Sequence, residues 1–274
     1  MPCRASCCLL LVVALLGPGA REATGRPTRR GEAFTFRLRL GPIESGRARL
    51  AIAPPVPGPQ GRQIHIVGEA EAVGLARVLT GLHDDYRLVL DADTLALRRL
   101  SLIEQGLRER TVTAEFHGPE ADIQVQRPGD QRRITSRLPA PVRDPVAAFL
   151  VLRAARLADG DRLDLLVLDG TVLYEGHVEV VGRELLHAGG SQWPAIRLRC
   201  WGRRLQADGR PTDRPPREAT LWLSDDRLRL PLRLQGETDL GLAQVELTSH
   251  EPPRRPLPPP RQLPGVQQRG PGLP

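Results

Sequence analysis

The sequence lacks the long hydrophobic runs and the repeats that define several large classes of protein. Its longest apolar run, 9–16, has eight residues, whereas a membrane-spanning helix needs about 20. Neither a heptad pattern nor a Gly-X-Y repeat is present, which excludes a coiled coil and a collagen. The 274 residues are 40% hydrophobic and 26% charged, which suits one medium-sized domain with tails.

Lysine and asparagine are absent, and the 39 basic residues are all arginine. We attribute this bias to the codon usage of a GC-rich genome rather than to nucleic-acid binding. Segments 1–31 and 252–274 each carry a net charge of +4, which leaves −1 for 32–251 out of the total of +7. The 3 Trp, 2 Tyr and 4 Phe offer little surface for stacking on bases. No nucleic-acid partner is therefore predicted.

Cysteine is scarce, and three of the four cysteines lie before the apolar run, at Cys3, Cys7 and Cys8. The fourth, Cys200, has no partner for an internal disulfide, and neither C-x-x-C nor zinc spacing occurs around it. Cys200 lies in an alternating segment, so we predict a half-buried strand residue rather than a nucleophile.

The N-terminus has the pattern of a secretory signal peptide. Arg4 precedes the apolar run 9–16, and Gly17-Pro18-Gly19-Ala20 follows it. A basic start, a short apolar core and small residues predict a signal peptide over 1–23 with cleavage at about 19–23. No transmembrane span would remain after its removal, and the periplasm of a Gram-negative bacterium is the predicted compartment.

Two further segments lie outside the predicted domain. Residues 24–31 form a basic linker, and nine of the 23 residues from Pro252 onward are proline. Proline cannot donate to a sheet ladder, so we expect 251–274 to be an extended or disordered arm. It is either a solvated tail or a docking segment for a partner.

Alternation of apolar and polar residues predicts that 32–250 form a single β-rich domain of about a dozen strands. Asp169-Gly170, flanked by alternating runs, is the strongest hairpin signal. Gln105-Gly106 and Pro128-Gly129 mark further turns. A sheet this large must curl to bury its apolar face. We therefore expect a mainly β fold, with a curved antiparallel sheet forming an open or closed barrel-like structure.

One segment, 144–157, departs from this alternation and predicts a helix. Asp144 suits the N-cap and Pro145 the first helical position. Val146, Phe149 and Leu157 fall on one stripe, which should pack against the sheet. Gly160 is the expected end of this segment, and a shorter helical turn is predicted around 75–82.

Candidate catalytic residues are few. The chain has no G-x-S-x-G, P-loop or dinucleotide-binding fingerprint. His83, Asp84 and Asp85 could begin a metal or acid–base site, but the sequence nominates no distant partners for them. His177 and Glu179 share a strand face, as two metal ligands would, although a solvated face is the commoner reason for such a pair.

Asp225 and Asp226 form a second pair of carboxylates, which can divide acid and base roles in an enzyme. They lie between two alternating runs, 219–223 and 227–234. We therefore favour a tight turn of Ser224, Asp225 and Asp226 in which a carboxylate accepts backbone N–H groups. No catalytic, cofactor-binding or metal-ligating residue is assigned, and no cofactor is predicted.

The order of these features resembles an exported bacterial family, the domain of unknown function numbered 3108 (DUF3108). The resemblance covers about 32–250 and implies a β-rich envelope protein, but no activity and no site residues. It rests on these stretches: Gly31-Glu32, 45–48, Asp85-Tyr86, 93–95, 108–110 with Phe116, Asp144-Pro145 with Phe149 and Leu152-Arg153, Gly160-Asp161, 181–184, and 221–226 with Leu230-Pro231.

Three functional hypotheses follow. The first is a non-enzymatic periplasmic protein of the cell envelope that binds a lipid or another amphiphile, or serves as a scaffold. The second is a hydrolase or lyase of envelope glycans that uses Asp84, Asp85, Asp225 or Asp226, and it requires these carboxylates to converge. The third is a protein-interaction module with a Pro-rich arm that docks a partner.

Overall fold

The computed structural model describes residues 31–251, except for 108, 139–140 and 207–208. The predicted signal peptide, nearly all of the linker and the Pro-rich arm from 252 onward lie outside the described residues. Within them the chain is dominated by strands, with two helices.

The strands of the N-terminal half precede the longer helix. Their bounds are β1 Glu32–Leu40, β2 Ile43–Ile52, β3 Val56–Gly58, β4 Gly61–Ala72, β5 His83–Asp91, β6 Leu97–Gln105, β7 Arg110–His117, β8 Glu120–Arg127 and β9 Asp130–Arg137.

The strands of the C-terminal half follow that helix. Their bounds are β10 Arg162–Asp169, β11 Val172–Ala188, β12 Ser191–Arg204, β13 Arg217–Ser224, β14 Pro231–Thr238 and β15 Gly241–Glu251.

All 15 strands belong to one antiparallel sheet. Most neighbours in the sheet are also neighbours in the chain, which is why turn residues mark so many of the joins. The two halves meet where β1 pairs with β15, and β10 and β9 are the free edges. The predicted curved antiparallel sheet is confirmed, and it is open rather than closed. The hairpins predicted at Gln105-Gly106, Pro128-Gly129 and Asp169-Gly170 are present.

Helix α2, Pro145–Ala154, connects the two free edges of the sheet. Asp144 is its N-cap, because its carboxylate accepts the amides of Ala147 at 2.7 Å and Val146 at 3.1 Å. The helix is shorter than the predicted 144–157, since Ala155 already has extended backbone angles. Gly160 does not end the helix; it lies in a turn before β10 and donates its N–H to the carbonyl of Val180.

Helix α2 is buried around its circumference rather than along one stripe. Pro145 and every residue from Ala147 to Leu152 are buried, so the prediction of a single apolar face was incomplete. A helix that is apolar on all sides must be enclosed, and here the curved sheet encloses it. Phe149 of the helix packs edge-on against Phe34 of β1, with ring centroids 6.2 Å apart.

The short helix predicted near 75–82 is present as α1, Gly74–Thr80. It lies on the surface, and Leu75, Val78 and Leu79 are exposed. Across the described ranges, neither helix has the length and apolar content to cross a membrane.

A buried ion pair fastens α2 to the sheet. Arg153 donates to both oxygens of Glu32, at 2.6 and 3.1 Å, and to the carbonyl of Leu228. The guanidinium also lies 5.4 Å from the ring centroids of Phe34 and Phe149. Only 8% of the Arg153 side chain and 5% of the Glu32 side chain are exposed, so these charges depend on each other for compensation.

Arg153→Met keeps an unbranched apolar stem but removes the charge opposite Glu32. We expect the free energy of unfolding to fall by about 3 kcal/mol or more, because breaking a buried pair leaves a carboxylate poorly compensated. The matched control is Arg162→Met, since the exposed Arg162–Glu179 pair should contribute at most about 1 kcal/mol. Urea denaturation of both variants is the measurement, and equal losses would contradict this account.

Candidate functional site

The curved sheet and helix α2 leave an apolar cavity of about 170 Å³ between them, partly open to solvent. Apolar cavities of about this size admit a small hydrocarbon such as benzene. The helix contributes one wall, and strands from both halves of the sheet contribute the others. The lining is Phe36, Ala48, Arg49, Leu50, Gly68, Glu69, Ala70, Asp84, Tyr86, Pro145, Val146, Ala148, Phe149, Leu152, Val178, Cys200, Leu221, Pro231, Arg233, Leu234 and Val245.

Two cross-strand rows on the inner face of the sheet explain why space remains there. We call them the Asp84 row and the Tyr86 row; both include very small residues on β2 or β4, where larger side chains would fill the space. The Asp84 row pairs Phe36, Ala48, Ala70, Asp84, Glu104 and Arg110 in register. The Tyr86 row pairs Phe34, Leu50, Gly68, Tyr86, Leu102 and Val112.

The Asp84 row changes from apolar to charged across the sheet. Asp84 lines the cavity and is 5% exposed. Its neighbour Glu104 is buried and ion-paired with Arg110. Burial, together with the negative charge of Glu104, raises the pKa of Asp84 to about 7, although Arg110 acts in the opposite direction. The Asp84 carboxylate accepts no hydrogen bond from the described residues.

The adjacent row places a second polar group in the wall of the cavity. Tyr86 is 7% exposed and lines the cavity. Its hydroxyl is buried and has no hydrogen-bond partner among the described residues. Buried hydroxyl groups are nearly always hydrogen-bonded, so Tyr86 and Asp84 together provide unused hydrogen-bonding capacity beside an apolar space.

Other charged residues that border the cavity are exposed or already paired. Arg49 and Glu69 are exposed, and Arg233 donates to Glu246 at 2.6 Å. Among the charged residues that line the cavity, Asp84 is therefore the one that is buried and whose side chain has no hydrogen bond within the described residues.

Two further acids lie near the N-terminus of α2 and the end of β10. Burial raises the pKa of Asp144 to about 7, although the two backbone hydrogen bonds of its N-cap act against this. Burial also raises the pKa of Asp169 to about 6, while Arg110 and Arg217 lower it. Neither residue lines the cavity, and Asp144 is already explained by its capping role.

Cys200 also lines the cavity, and it is buried rather than half-buried as predicted. Burial raises the pKa of its thiol to about 12, so the thiolate that a nucleophile needs is disfavoured. Cys200 thus serves as a small apolar wall residue.

His177 and Glu179 do not form a joint site. His177 Nδ1 lies 2.6 Å from Asp164, and its ring stacks on Trp201. Glu179 instead accepts from Arg162 at 2.9 Å. The solvated-face interpretation accounts for both residues. No group of three or more His, Cys, Asp or Glu positioned to hold a metal occurs among the residues the structure describes.

The structure does not bring the two candidate carboxylate pairs together. Asp84 lies at the start of β5 and points inward, whereas Asp85 lies outward beside His83, at 3.7 Å. Asp225 follows β13, which lies six strands from β5 in the sheet, and its carboxylate is paired with Arg183 and Arg229. Neither Asp225 nor Asp226 lines the cavity that Asp84 faces, so these residues do not form the two-carboxylate site that glycoside cleavage requires.

The turn at 224–226 is longer than predicted. β13 ends at Ser224 and β14 begins at Pro231, so the expected strand 227–234 was wrong in its first four residues. The loop closes where Ser224 donates to the carbonyl of Leu230, and Arg229 has a positive φ of 49°. Arg153 binds the carbonyl of Leu228, which holds this segment toward α2 instead of in the sheet.

Asp225 and Asp226 have different roles in this loop. Asp226 accepts from the Ser224 hydroxyl at 2.7 Å and from the amides of Leu228 and Arg229 at 2.9 and 3.1 Å. Asp225 instead binds Arg183 at 2.9 Å and Arg229 at 3.0 Å. The predicted acceptance of backbone N–H groups therefore applies to Asp226 and not to Asp225.

The chain belongs to a family described as "Protein of unknown function (DUF3108)", whose model matches residues 35–248. The resemblance drawn from the sequence is thereby confirmed. No curated protein matches the chain.

Among solved structures, the chain is similar to a β-barrel-like protein of the domain of unknown function DUF1849 from Brucella abortus. The identity is 10%, the match covers 84% of this chain and 100% of that one, and the TM-score is 0.50. A candidate lipoprotein from Parabacteroides distasonis matches at 6% identity over 84% and 100% of the two chains, with a TM-score of 0.37. The first of these similarities supports the barrel-like fold alone.

Asp226→Ala should lower the free energy of unfolding by about 1 kcal/mol, since the change removes the acceptor of a side-chain cap. Asp226→Asn should be nearly neutral, because its amide oxygen can accept the same N–H groups. The adjacent control, Asp225→Ala, removes two partly exposed ion pairs and should cost less. Thermal melts of the three variants test this, and an undiminished melting temperature for Asp226→Ala would show that the cap is unimportant.

Asp84→Asn removes a buried charge while keeping the shape of the side chain. The pKa of Asp84 is raised from 3.8 to about 7 on folding, so the native state binds more protons than the unfolded state between these values. Wild-type stability is therefore lost as pH rises from about 4 to 7. We expect the advantage of the Asn variant to grow over this range and then level off.

The pH dependence of the Asp84→Asn advantage can be measured in melts at pH 5, 6, 7 and 8. An advantage of about 1–2 kcal/mol would raise the Tm by several degrees for a domain of this size. Asp85→Asn is the control, because the Asp85 carboxylate lies on the outer face with 36% of its side chain exposed. A pH-independent difference between wild type and Asp84→Asn would contradict the assignment.

Proposed function

We propose that the protein is an exported, non-enzymatic protein of the cell envelope that binds one hydrocarbon chain of an amphiphile in the cavity. The single observation that carries the proposal is the cavity itself, which is apolar, partly open and bounded by helix α2. A dry, packed interior would instead favour a scaffold.

The size and the shape of the cavity favour a slender chain over a bulky ligand. Its volume of about 170 Å³ is below the range of about 300–1,000 Å³ typical of drug-sized ligands. Phe36 and Phe149 line it, and the small Ala48, Gly68 and Ala70 leave the space between them. A single alkyl segment fits these dimensions, while the remainder of the amphiphile would extend through the open side.

The proposed location rests on the N-terminal segment and on the family. Residues 1–23 have the features of a signal peptide, and the resemblance to DUF3108 implies export. We place the mature protein, with its single domain at 32–250 and its Pro-rich arm at 251–274, in the periplasm of a Gram-negative bacterium.

Filling the cavity should abolish chain binding without unfolding the protein. Ala48→Leu adds a branched side chain at the cavity wall, where Ala48 is 9% exposed. Ala51→Leu is the matched control, since Ala51 lies on the same strand, is 8% exposed and does not line the cavity. We expect 1-octanol to bind the wild type and the control, and to bind Ala48→Leu at least about tenfold more weakly.

Isothermal titration calorimetry with 1-octanol measures this difference, and thermal melts establish that both variants are folded. Native mass spectrometry of the protein purified from the periplasm adds a second readout, in which a co-purified amphiphile is expected. Equal affinity of Ala48→Leu and wild type for 1-octanol, or no binding by either, would overturn the proposal.

A further inference from the structure

The two polar groups in the wall of the cavity give information about the head group of the ligand. This inference rests on the proposed function and concerns the same site. The inner face of β5 carries Asp84 and Tyr86 two residues apart, so both point to the same side of the sheet. Each lies beside a very small residue of β4, because Ala70 pairs with Asp84 and Gly68 pairs with Tyr86.

We propose that the cavity selects an amphiphile whose polar end is a hydrogen-bond donor, with a primary ammonium group as the preferred form, and that Asp84 and Tyr86 receive it. The hydrocarbon chain would lie along Ala70 and Ala48 toward Phe36, the apolar part of the Asp84 row. The class of ligand is therefore a single-chain alkylamine or a lipid with a terminal amine, rather than a fatty acid.

The first argument is the charge balance around Asp84. β4 contributes Ala70, an uncharged neighbour; β6 contributes Glu104, and β7 contributes Arg110. Arg110 is held by the Glu104 carboxylate, and Asp85, the next acid on β5, lies on the outer face. The wall of the cavity thus has a buried negative charge without a dedicated cation, which attracts an ammonium group and repels a carboxylate.

The second argument is the burial of both groups. Asp84 and Tyr86 are less than a tenth exposed, yet the Tyr86 hydroxyl has no hydrogen-bond partner and the Asp84 carboxylate accepts no hydrogen bond from the described residues. An ammonium group has three N–H donors, enough for the Asp84 carboxylate and the Tyr86 oxygen together. A hydroxyl group could also reach both, by donating to Asp84 and accepting from the Tyr86 O–H, but it carries no charge opposite the Asp84 carboxylate, which explains the expected preference for an amine.

The third argument is that three other buried carboxylates each have hydrogen-bond donors of their own. Glu32 is bound by Arg153, Glu104 by Arg110, and Asp144 by two backbone amides. Asp169, whose carboxylate has no such donor, is near Arg110 and Arg217 and does not line the cavity. Among the described residues that line the cavity, Asp84 is therefore the buried carboxylate without a donor.

Three probes with the same chain and different head groups test the proposal: octylamine, 1-octanol and octanoate. Calorimetric titrations at pH 8, where the Asp84 carboxylate is ionised, should give affinities in the order octylamine, 1-octanol, octanoate. We expect octylamine to bind about tenfold more tightly than 1-octanol, which is the effect of one charge-assisted hydrogen bond.

Variants then assign the selectivity to residues. Asp84→Asn should remove most of the octylamine advantage and leave 1-octanol within about threefold of wild type. Tyr86→Phe should weaken both octylamine and 1-octanol by a few-fold. The matched control, Asp85→Asn, removes the same charge from the outer face of the same strand and should leave all three affinities unchanged.

The pH dependence provides an independent readout. Because burial and Glu104 raise the pKa of Asp84 to about 7, the octylamine advantage should shrink at pH 5.5 in the wild type. It should not depend on pH in Asp84→Asn. Melts of each variant at both pH values show that the proteins are folded.

The outcomes separate this inference from the proposed function. If octanoate binds as tightly as octylamine, or if Asp84→Asn leaves the octylamine advantage intact, the head-group assignment is wrong. The binding of 1-octanol would then still support the proposal that the cavity holds a hydrocarbon chain. If none of the three probes binds the wild type, the cavity is not a chain-binding site and both proposals fall.

Discussion

The ion pair between Arg153 and Glu32 is the contact on which the rest of the architecture depends. It joins the C-terminal turn of α2 to β1, and His250 of β15 lies 3.1 Å from the same carboxylate. The seam between the two halves of the sheet and the helix that links their free edges therefore meet at one buried cluster. Arg153 also binds the carbonyl of Leu228, which fixes the loop between β13 and β14. Because this interior is apolar, these charges would be costly to separate.

The enclosed helix explains both the open sheet and the cavity. A helix that is buried on all sides occupies the space that the side chains of a small closed barrel would fill. The sheet must then wrap around α2, and contact is close where large residues such as Phe34 face it. Opposite Ala48, Gly68 and Ala70 the side chains are too short to reach the helix, so space remains beside Asp84. The cavity is thus a consequence of residue size on two neighbouring strands, β2 and β4.

Local features of this fold could be predicted from the sequence, whereas features that depend on distant contacts could not. The Asp144 N-cap and the Asp169-Gly170 hairpin depend on neighbouring residues, and both are present. The loop after Ser224 was predicted too short, because the contact that displaces it comes from Arg153. The Asp84 row joins six strands, and single-strand alternation does not indicate which residues meet across them. The sequence indicated Asp84 as a candidate site residue beside His83 and Asp85. It did not indicate that Glu104, Ala70 and Tyr86 would be its neighbours across the sheet.

Stability alone does not account for an aspartate at position 84. A buried carboxylate without its own cation or hydrogen bonds is less favourable than a small apolar residue of similar volume. The neighbouring Glu104 does not relieve this cost, because its charge has the same sign. Proteins keep such destabilising groups where function requires them. In this chain the group lies on the wall of an apolar cavity, beside a tyrosine hydroxyl that also lacks a partner, and a ligand that satisfies both would offset the cost on binding.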